Sequence, residues 1–539
     1  MLGWIMLFAG LGSFGLLGPD EPRYAAIAEA MARTHQWITP RLWGVPWLEK
    51  PILYYWLGAL SDLVHNTGAA SSRLPNAMLT AAMLVGLFFF LRKLPSARAA
   101  TLAVVLGLTS VFLFGFGRAA TTDMTLTAPF ALGMMCLYLW MREDRLRWLN
   151  LAAVAFALAT LAKGPVAVVL AVLALAGFAA LTGEWRLFPR LFRTWPVVIF
   201  FVIAAPWYLA VEAQNHGFFQ SFFLQQNLER MATNRYQHPQ PFWFYLPVIL
   251  LAVFPWTGWL GIPLDSGVRR LRRLGWRRGW EAKGAPLKFF LLCWMLAPLV
   301  FFTLSASKLP GYILPAVPAA VALIAVCAAD RWAALPAWPL VISAVLAGVV
   351  PAAVRFTPWF LEPRALRLPF AVVLAHNTGT MLLGLICMAV LLALAFWRRS
   401  TVLVAATCIL VAASVLALTR PPLSQDLDVA LSGAPLGRQL FAQCGSALPE
   451  HCGMLPVYTW NLNRARVYGA DFVLGGRLRA WPAAAALPDG ALLVLPRRAL
   501  MPLQMKLGHS FNLAAQPRFI PPEARRAPPW IVIRVERAR

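Results

Sequence analysis

Long apolar runs alternate with short polar segments from the N-terminus to about residue 419. About twenty apolar residues are enough to cross a bilayer as a helix. A helix also satisfies its own backbone hydrogen bonds, which lipid cannot do. The pattern therefore predicts a mainly α-helical polytopic membrane protein with about thirteen transmembrane helices.

The first predicted span is the N-terminal apolar run, which ends at residue 17. It lacks the basic n-region and the small-residue cleavage site of a secretory signal peptide, so we expect it to be retained. Two short amphipathic helices are predicted in the long loop that follows, near 22–32 and 51–60. Further spans are predicted near 74–91, 99–114, 124–141, between 147 and 162, 166–181, 197–211, 242–261, 288–304, in two runs between 312 and 355, and at 370–397 and 401–418.

The last part of the chain has a different character and is rich in proline and turns. Short strand-like runs, "MLPVYTW", "ALLVLP" and "WIVIRV", predict a small mixed α/β domain outside the membrane. We therefore divide the chain into a membrane domain, 1–419, and a soluble domain, 420–539. Cys444 and Cys452 fall in the second domain, where they form a disulfide or remain two free thiols.

The distribution of charged residues predicts which side of the membrane each loop faces. The net charge is +26, from 48 basic and 22 acidic residues, and 60% of the chain is hydrophobic. A basic soluble protein would suggest nucleic acid, but no groove-binding module is present and we exclude that partner. Lys and Arg instead mark cytoplasmic loops and contact anionic lipid headgroups. Nearly all basic clusters fall on one predicted side, as the positive-inside rule requires.

The unusual polar motifs gather on the opposite predicted side. Ionisable groups close to a membrane are costly and tend to be functional. Six such motifs converging would form a cleft at the membrane surface. They are "GPDEPRY" (18–24), "LEKP" (48–51), "RAATTD" (118–123), "AKGP" (162–165), "NLERMATNRYQHPQPFW" (227–243) and "SKLPGY" (307–312).

These motifs supply both cations and carboxylates. The cations suited to neutralise a phosphate are Lys50, Lys163, Arg230, Arg235 and Lys308. The carboxylates available for positioning, proton transfer or metal binding are Asp20, Glu49 and Asp123. Each residue also has a plainer interpretation. Asp20 and Asp123 can cap the helices that follow them, and Lys and Arg near span ends often only reach the headgroups.

Taken together, the motifs resemble a known family. "GPDEPRYAAIAEAM", "PWLEKPILYYWL", "RAATTDMTL", "LAKGPVAV" and "LSASKLPGYILPAVP" are similar to motifs of the GT-C glycosyltransferases of the protein O-mannosyltransferase superfamily. They most resemble the bacterial branch that transfers 4-amino-4-deoxy-L-arabinose from undecaprenyl phosphate to lipid A. The resemblance implies a polyprenyl-phosphate sugar donor, thirteen spans, and an active site that faces the periplasm from the bacterial inner membrane.

The resemblance also implies roles for individual residues. Asp20 matches the catalytic acidic residue and Asp123 the second acidic loop residue. Lys50 matches the residue that contacts the lipid-linked phosphate, and Glu49 a carboxylate near a divalent metal. The remaining predicted substrate contacts are Glu21, Arg23, Tyr24 and Tyr312, with the four other cations named above.

Two departures from the family pattern affect the predicted pocket. The long outer loop lacks the metal-binding histidine at its usual place, and His238 lies several residues further on. A divalent metal therefore stays open as a cofactor, and no other cofactor is predicted. Trp47 stands where a tyrosine is common, so another aminosugar or a uronic acid stays open as the donated group.

The sequence thus predicts an integral membrane glycosyltransferase that moves such a sugar from undecaprenyl phosphate to lipid A. The alternative is the same donor chemistry on a protein or another glycan acceptor. A transporter of lipid-linked sugars fits less well, because it would place ionisable residues and broken helices near the middle of the membrane. A structural scaffold would need no such set of polar motifs.

Overall fold

The computed structural model describes most of the membrane part and the main elements of the C-terminal part. The described residues are 1–94, 97–222, 240–267, 285–332, 423–443, 457–481, 491–496, 511–515 and 530–537, with isolated positions in 335–420 and 499–503. The last three predicted spans, from the second run between 312 and 355 to 401–418, lie where few residues are described. Outside the described residues are also Arg230, Arg235, His238, Cys444 and Cys452.

Six described helices are long and apolar enough to cross a membrane. They are α4 (Ala69–Lys93), α7 (Thr122–Glu143), α8 (Leu146–Lys163), α11 (Thr194–Gln214), and the helices Pro286–Leu304 and Pro310–Ala329. Two bent pairs raise the number to eight if each pair forms one span. These are α5 (Ala97–Thr109) with α6 (Val111–Gly117), bent by 64°, and Tyr245–Ala252 with Thr257–Gly267, bent by 112°. The mainly α-helical membrane fold is therefore confirmed.

The predicted first span is wrong. The run forms only a six-residue helix, α1 (Leu2–Leu7), followed by turns. The physical reason is that side chains from elsewhere take its carbonyl groups. Arg118 donates to the carbonyls of Met6 and Ala9, and Arg73 to those of Leu11, Phe14 and Gly15. These bonds replace the ones that a continuous helix would make.

Helix α7 lies at the centre of the membrane part. In its most apolar stretch 83% of residues are buried, against 28% for α11, so α7 is surrounded by protein and α11 lies at the edge. Helix α8 packs along α7 at close range. A Cβ at Gly133 would lie 2.9 Å from Cζ of Phe156, so a larger residue there would have to displace this ring. After α8, the helices α9 (Val166–Thr182) and α10 (Leu187–Leu191) lead to α11.

The helices separate two sets of charged residues. One end carries ion pairs between Lys93 and Glu143, Arg190 and Asp144, and Lys288 and Asp330. The opposite end carries the starts of α7 and of Pro310–Ala316 and the end of α8. A helix of the length of α7 spans about 33 Å, close to the thickness of the bilayer core. Most of the predicted polar motifs lie at this second end.

The loop after α1 forms a cover at the second end. It contains α2 (Asp20–Thr34), a short hairpin of β1 (Arg41–Leu42) and β2 (Val45–Pro46), and α3 (Leu53–His65). Both predicted loop helices are therefore present. The hairpin turn has positive φ at Trp43 (51°) and Gly44 (84°), the backbone that a tight two-residue hairpin requires.

The C-terminal part contains a five-stranded mixed sheet in the order β4-β3-β5-β7-β6. The strands are β3 (Val457–Thr459), β4 (Leu478–Ala480), β5 (Leu492–Pro496), β6 (Phe511–Ala515) and β7 (Trp530–Arg537). Alternate residues of β5 pack on opposite sides, Leu492 and Val494 in one apolar cluster and Leu493 and Leu495 in another. The helices Leu423–Leu431, Ala434–Gln443 and Arg464–Leu474 accompany the sheet. The boundary at 419/420 stays a prediction.

Asp62 on α3 makes the stability of the cover depend on pH. Its Oδ1 accepts a hydrogen bond from Ser71 Oγ at 2.6 Å, while its Oδ2 has no partner among the described residues. Burial raises the pKa of Asp62 from 3.8 to about 6, and the Ser71 bond only partly opposes this. The folded protein therefore holds a proton between these pH values that the unfolded chain has lost, so stability falls as pH rises through this window.

We predict that Asp62→Asn raises the melting temperature at pH 7.5 and changes it little at pH 4. Asparagine keeps the acceptor for Ser71 and removes the buried charge, whose cost at neutral pH is at most about 3 kcal/mol. Thermal unfolding of the purified protein at a series of pH values measures the difference. An offset that is the same at every pH would contradict this explanation.

Candidate active site

A buried ion pair fixes the chain next to Asp20. Arg73 on α4 donates from Nε to Oε1 of Glu21 at 3.1 Å and from Nη2 to Oε2 at 2.7 Å. Glu21 also accepts hydrogen bonds from the backbone N–H groups of Leu17 and Ala120. Both carboxylate oxygens are therefore occupied within the protein. The structure does not support the predicted substrate contact by Glu21 and gives this residue a structural role instead.

Asp20 is the first residue of α2 and points away from this pair. Its carboxylate is about half exposed, and Arg23 Nη2 donates to Oδ1 at 2.5 Å. No side chain caps the N-terminus of α2, so the interpretation of Asp20 as a helix cap is wrong. An accessible carboxylate paired with a buried guanidinium is free to contact a ligand on its exposed side.

Arg23 is enclosed by aromatic rings and acidic groups. Its guanidinium carbon lies 5.0 Å from the ring centre of Tyr24 and 5.1 Å from that of Trp47. Burial acts to lower the pKa of Arg23, but Tyr24, Asp20 and Glu49 outweigh it and raise that pKa above its ordinary value. The guanidinium therefore stays charged, and Glu49 of the "LEKP" motif lies near it.

Tyr24 lies within electrostatic range of both Asp20 and Asp123. Burial raises the pKa of its phenol, and the negative charges of Asp20 and Asp123 raise it further. The phenol consequently remains protonated and keeps its ability to donate a hydrogen bond. Both carboxylates act on Tyr24, so the first outer loop and the start of α7 lie within electrostatic range of each other.

Asp123 forms the second ion pair of the site. It is the second residue of α7, and Lys163 is the last residue of the antiparallel helix α8, so the two side chains meet and form a salt bridge. Both are mostly buried but retain some exposure. No side-chain hydrogen bond caps α7, so the interpretation of Asp123 as a cap is also wrong. Asn76 on α4 holds the preceding loop by donating to the carbonyls of Ala119 and Thr121.

The "SKLPGY" loop packs against the Asp123–Lys163 pair. The ammonium of Lys163 lies 4.9 Å from the ring centre of Tyr312. A Cβ at Gly311 would lie 3.2 Å from Cγ of Asp123, so the loop backbone passes close to the carboxylate. Lys308 is buried and donates to the carbonyl of Ser305 at 2.7 Å. This loop thus adds a second lysine and a tyrosine to the same end of the membrane part.

The structure therefore brings most of the predicted site residues to one end of the helices. Lys50 follows Glu49 directly and is partly buried. Arg230 and Arg235 lie outside the described residues. Sequence reasoning missed Arg73 and Asn76, although a charged and an amide residue at the entry of an apolar helix are a recognisable signal.

A metal does not fit the described residues. In 1–94, 97–222 and the other described ranges, no three His, Cys, Asp or Glu side chains lie close enough together to hold an ion. Glu49 is therefore not part of a described group of ligands that could hold the metal implied by the resemblance. The proposed mechanism contains no metal step. Among the described cysteines, Cys136, Cys293 and Cys408 are free thiols.

Comparison with known proteins finds similar proteins by sequence and by fold. Residues 3–222 match the family model "Dolichyl-phosphate-mannose-protein mannosyltransferase". The crystal structure of ArnT from Cupriavidus metallidurans bound to undecaprenyl phosphate superposes with a TM-score of 0.76 at 22% identity, over 99% of this chain and 96% of that chain. The apo form gives a TM-score of 0.74 at 21% identity with the same coverage. The chain therefore has the same fold as these two structures, as its motifs predicted.

Curated relatives narrow the resemblance. The chain is similar to the undecaprenyl phosphate-alpha-4-amino-4-deoxy-L-arabinose arabinosyl transferase of Pectobacterium carotovorum, with 31% identity over 69% of this chain and 62% of that relative. The corresponding Pectobacterium atrosepticum protein is 33% identical over 58% of this chain and 56% of its own length. The aligned part thus spans less than two thirds of these relatives. The chain is thus similar in sequence to these transferases over part of their length.

We predict that Glu21→Ala destabilises the protein strongly and that Asp20→Asn does not. Removing one partner of a buried ion pair leaves an uncompensated charge and costs about 3–5 kcal/mol, whereas Asp20 is half exposed. Thermal unfolding in detergent, with the yield of folded monodisperse protein, measures both. Similar losses in the two variants would contradict the separation of a structural Glu21 from an available Asp20.

Proposed function

We propose that this protein is a glycosyltransferase that moves 4-amino-4-deoxy-L-arabinose, or a related aminosugar, from undecaprenyl phosphate to a lipid A phosphate. The observation that carries the proposal is the pairing of Asp20 with Arg23 and of Asp123 with Lys163 at one end of the membrane helices. Its support comes from the activity for which the curated relatives are named.

The proposed chemistry needs cations more than it needs a general base. The bond between the sugar C1 and the phosphate oxygen of the donor breaks, and its electron pair stays on undecaprenyl phosphate. Positive charge placed where this anion develops lowers the barrier. Lys50, with Arg230 or Arg235, is proposed to supply that charge. The acceptor phosphate is already an anion, and its oxygen attacks C1 from the opposite face, which inverts the anomeric centre.

Asp20 then has a different role from that of a base. Its exposed side can orient the sugar's ammonium group or stabilise the positive charge that develops on the sugar ring. Arg23 holds the carboxylate in one position through the ion pair at 2.5 Å. With an acceptor hydroxyl in place of a phosphate, Asp20 would serve as the general base instead.

The proposed location is the bacterial inner membrane with the site facing the periplasm. Support comes from the end of the helices that carries Lys93, Arg190 and Lys288, since cytoplasmic loops are enriched in Lys and Arg. The opposite end, with Asp20 and Asp123, would then meet two lipid substrates in the outer leaflet. Exposed aromatic residues at this end, Phe242 and Trp243, are placed as interface residues often are.

A second acceptor class has one observation in its favour. The family model that matches residues 3–222 is named for protein mannosyltransferases, so a protein acceptor for the same kind of donor remains the alternative. The donor side of the mechanism would be unchanged. The acceptor would be a hydroxyl, and Asp20 would act as the base.

We predict that cells lacking this protein lose an added sugar mass on lipid A and that Asp20→Asn restores little of it. The isosteric amide removes the charge while the fold is kept. Mass spectrometry of lipid A from the deletion strain complemented with wild-type or variant protein makes the comparison, with membrane levels matched. An unchanged lipid A spectrum in the deletion strain would reject this acceptor, and full activity of the variant would reject the role of Asp20.

We predict that Lys50→Ala raises the KM for the lipid donor about tenfold or more, since a charge-assisted phosphate contact contributes at least about 1.5 kcal/mol. The matched control is Lys288→Ala. Lys288 pairs with Asp330 and lies near the start of Ala285–Leu304, about 24 Å along the helix from the site end. Titration of the donor in a reconstituted assay measures both. Equal effects would contradict a phosphate contact by Lys50.

A further inference from the structure

Arg23 contacts a third aromatic ring, which comes from the C-terminal part of the chain. Besides Tyr24 and Trp47, its guanidinium carbon lies 5.9 Å from the ring centre of Tyr468. The guanidinium therefore has rings from the first outer loop and from the helix Arg464–Leu474 around it. Such contacts attract a cation to the ring face and become stronger when water is excluded.

The helix that carries Tyr468 is firmly placed. Asn463 caps it by accepting a hydrogen bond from the N–H of Arg466, and it ends at Gly475 in the left-handed region. Ala470 and Leu474 pack into the core of the C-terminal part. Tyr468 and Phe472, four residues apart and so on one face, pack instead against the main core of the membrane part. The contact with Arg23 thus belongs to a packed interface.

The β1–β2 turn adds a second support to Tyr468. Trp43 stacks on the Tyr468 ring, with ring centres 5.5 Å apart, and its φ of 51° is unfavourable for a bulky residue. A Cβ at Gly476 would lie 2.5 Å from Cδ1 of Trp43, so glycine is needed where the indole packs. Such backbone strain persists only where the surrounding contacts hold it.

The chain just before Asp20 is also attached to the C-terminal part. The N–H of Gly15 donates to Oδ1 of Asp428 at 2.9 Å, and Leu17 pairs with Ser432 in an antiparallel bridge. Arg438 pairs with the other carboxylate oxygen of Asp428. The C-terminal part therefore contacts the Asp20 segment on its N-terminal side and Arg23 on its C-terminal side.

We propose that the C-terminal part completes the active site through Tyr468, a positioning residue that holds Arg23 in the conformation that pairs with Asp20. The inference rests on the proposed function for its effect on turnover. Without the ring, the long Arg23 side chain gains alternative rotamers, and Asp20 is held less often in its paired position. Donor binding, which is assigned to Lys50 and other cations, should be little affected.

The test compares a variant of Tyr468 that loses the aromatic ring with one that keeps it. Tyr468→Leu keeps apolar volume but removes the ring face, and Tyr468→Phe keeps the ring but removes the hydroxyl. The matched control is Tyr458→Leu, on β3, where Tyr458 packs in the second cluster of the C-terminal sheet. We expect Tyr468→Leu to lower kcat about three- to thirtyfold, with KM for the donor within about twofold, since this is the range of cation–π contacts. Tyr468→Phe should keep kcat within about twofold, and the control should match wild type.

A double-mutant cycle tests whether Tyr468 acts through Arg23. If it does, Tyr468→Leu should add little to the loss of kcat already caused by Arg23→Gln. The melting temperatures of wild type, the two single variants and the double variant, measured without substrate, should show the same lack of additivity. Additive effects on both, or equal losses for Tyr468→Leu and Tyr458→Leu, would overturn the proposal. A wild-type protein that transfers no sugar, with the thermal coupling present, would reject the proposed function and leave the Tyr468–Arg23 contact supported.

Discussion

The buried ion pair between Arg73 and Glu21 is the contact on which the rest of the site depends. Arg73 is about 2% exposed and bonds at once to Glu21 and to carbonyls of the segment before it. A buried charge is tolerated only when it is paired and hydrogen-bonded, so this network leaves the N-terminal segment few other arrangements. It prevents that segment from forming a full helix and sets where α2 begins. Asp20, the neighbour of Glu21, is thereby directed to the open side.

Two carboxylate–cation pairs then lie within electrostatic range of Tyr24 at the end of the membrane helices. The Asp20–Arg23 pair lies on the loop, and the Asp123–Lys163 pair joins α7 to α8. Both pairs are partly shielded from water, so their charges act over longer distances than they would at an open surface. In the proposed function, these groups would lie beside the sugar and the two lipid phosphates. The C-terminal part adds Tyr468 to the loop side of this arrangement.

Much of the fold could be predicted because the strongest signal in the sequence is the length of its apolar runs. The helices at 74–91, 124–141 and 197–211 follow directly from it, as do the strands around 457–459 and 492–496. The gathering of the motifs at one end follows from the alternation of spans. The partners of individual charges could not be predicted, since Arg73 and Glu21 are 52 residues apart and nothing local connects them. The same is true of Tyr468, whose contact with Arg23 depends on how two distant parts of the chain pack.

The most direct test of the account is an experimental structure of the protein with undecaprenyl phosphate bound. We predict that the phosphate lies at the end of the helices that carries Asp123 and Lys163, within hydrogen-bonding distance of Lys50, with Asp20 and Arg23 on the side where the sugar would be. A phosphate bound at the opposite end, near Glu143 and Asp144, would contradict the account. So would one at the predicted end that has no contact with Lys50.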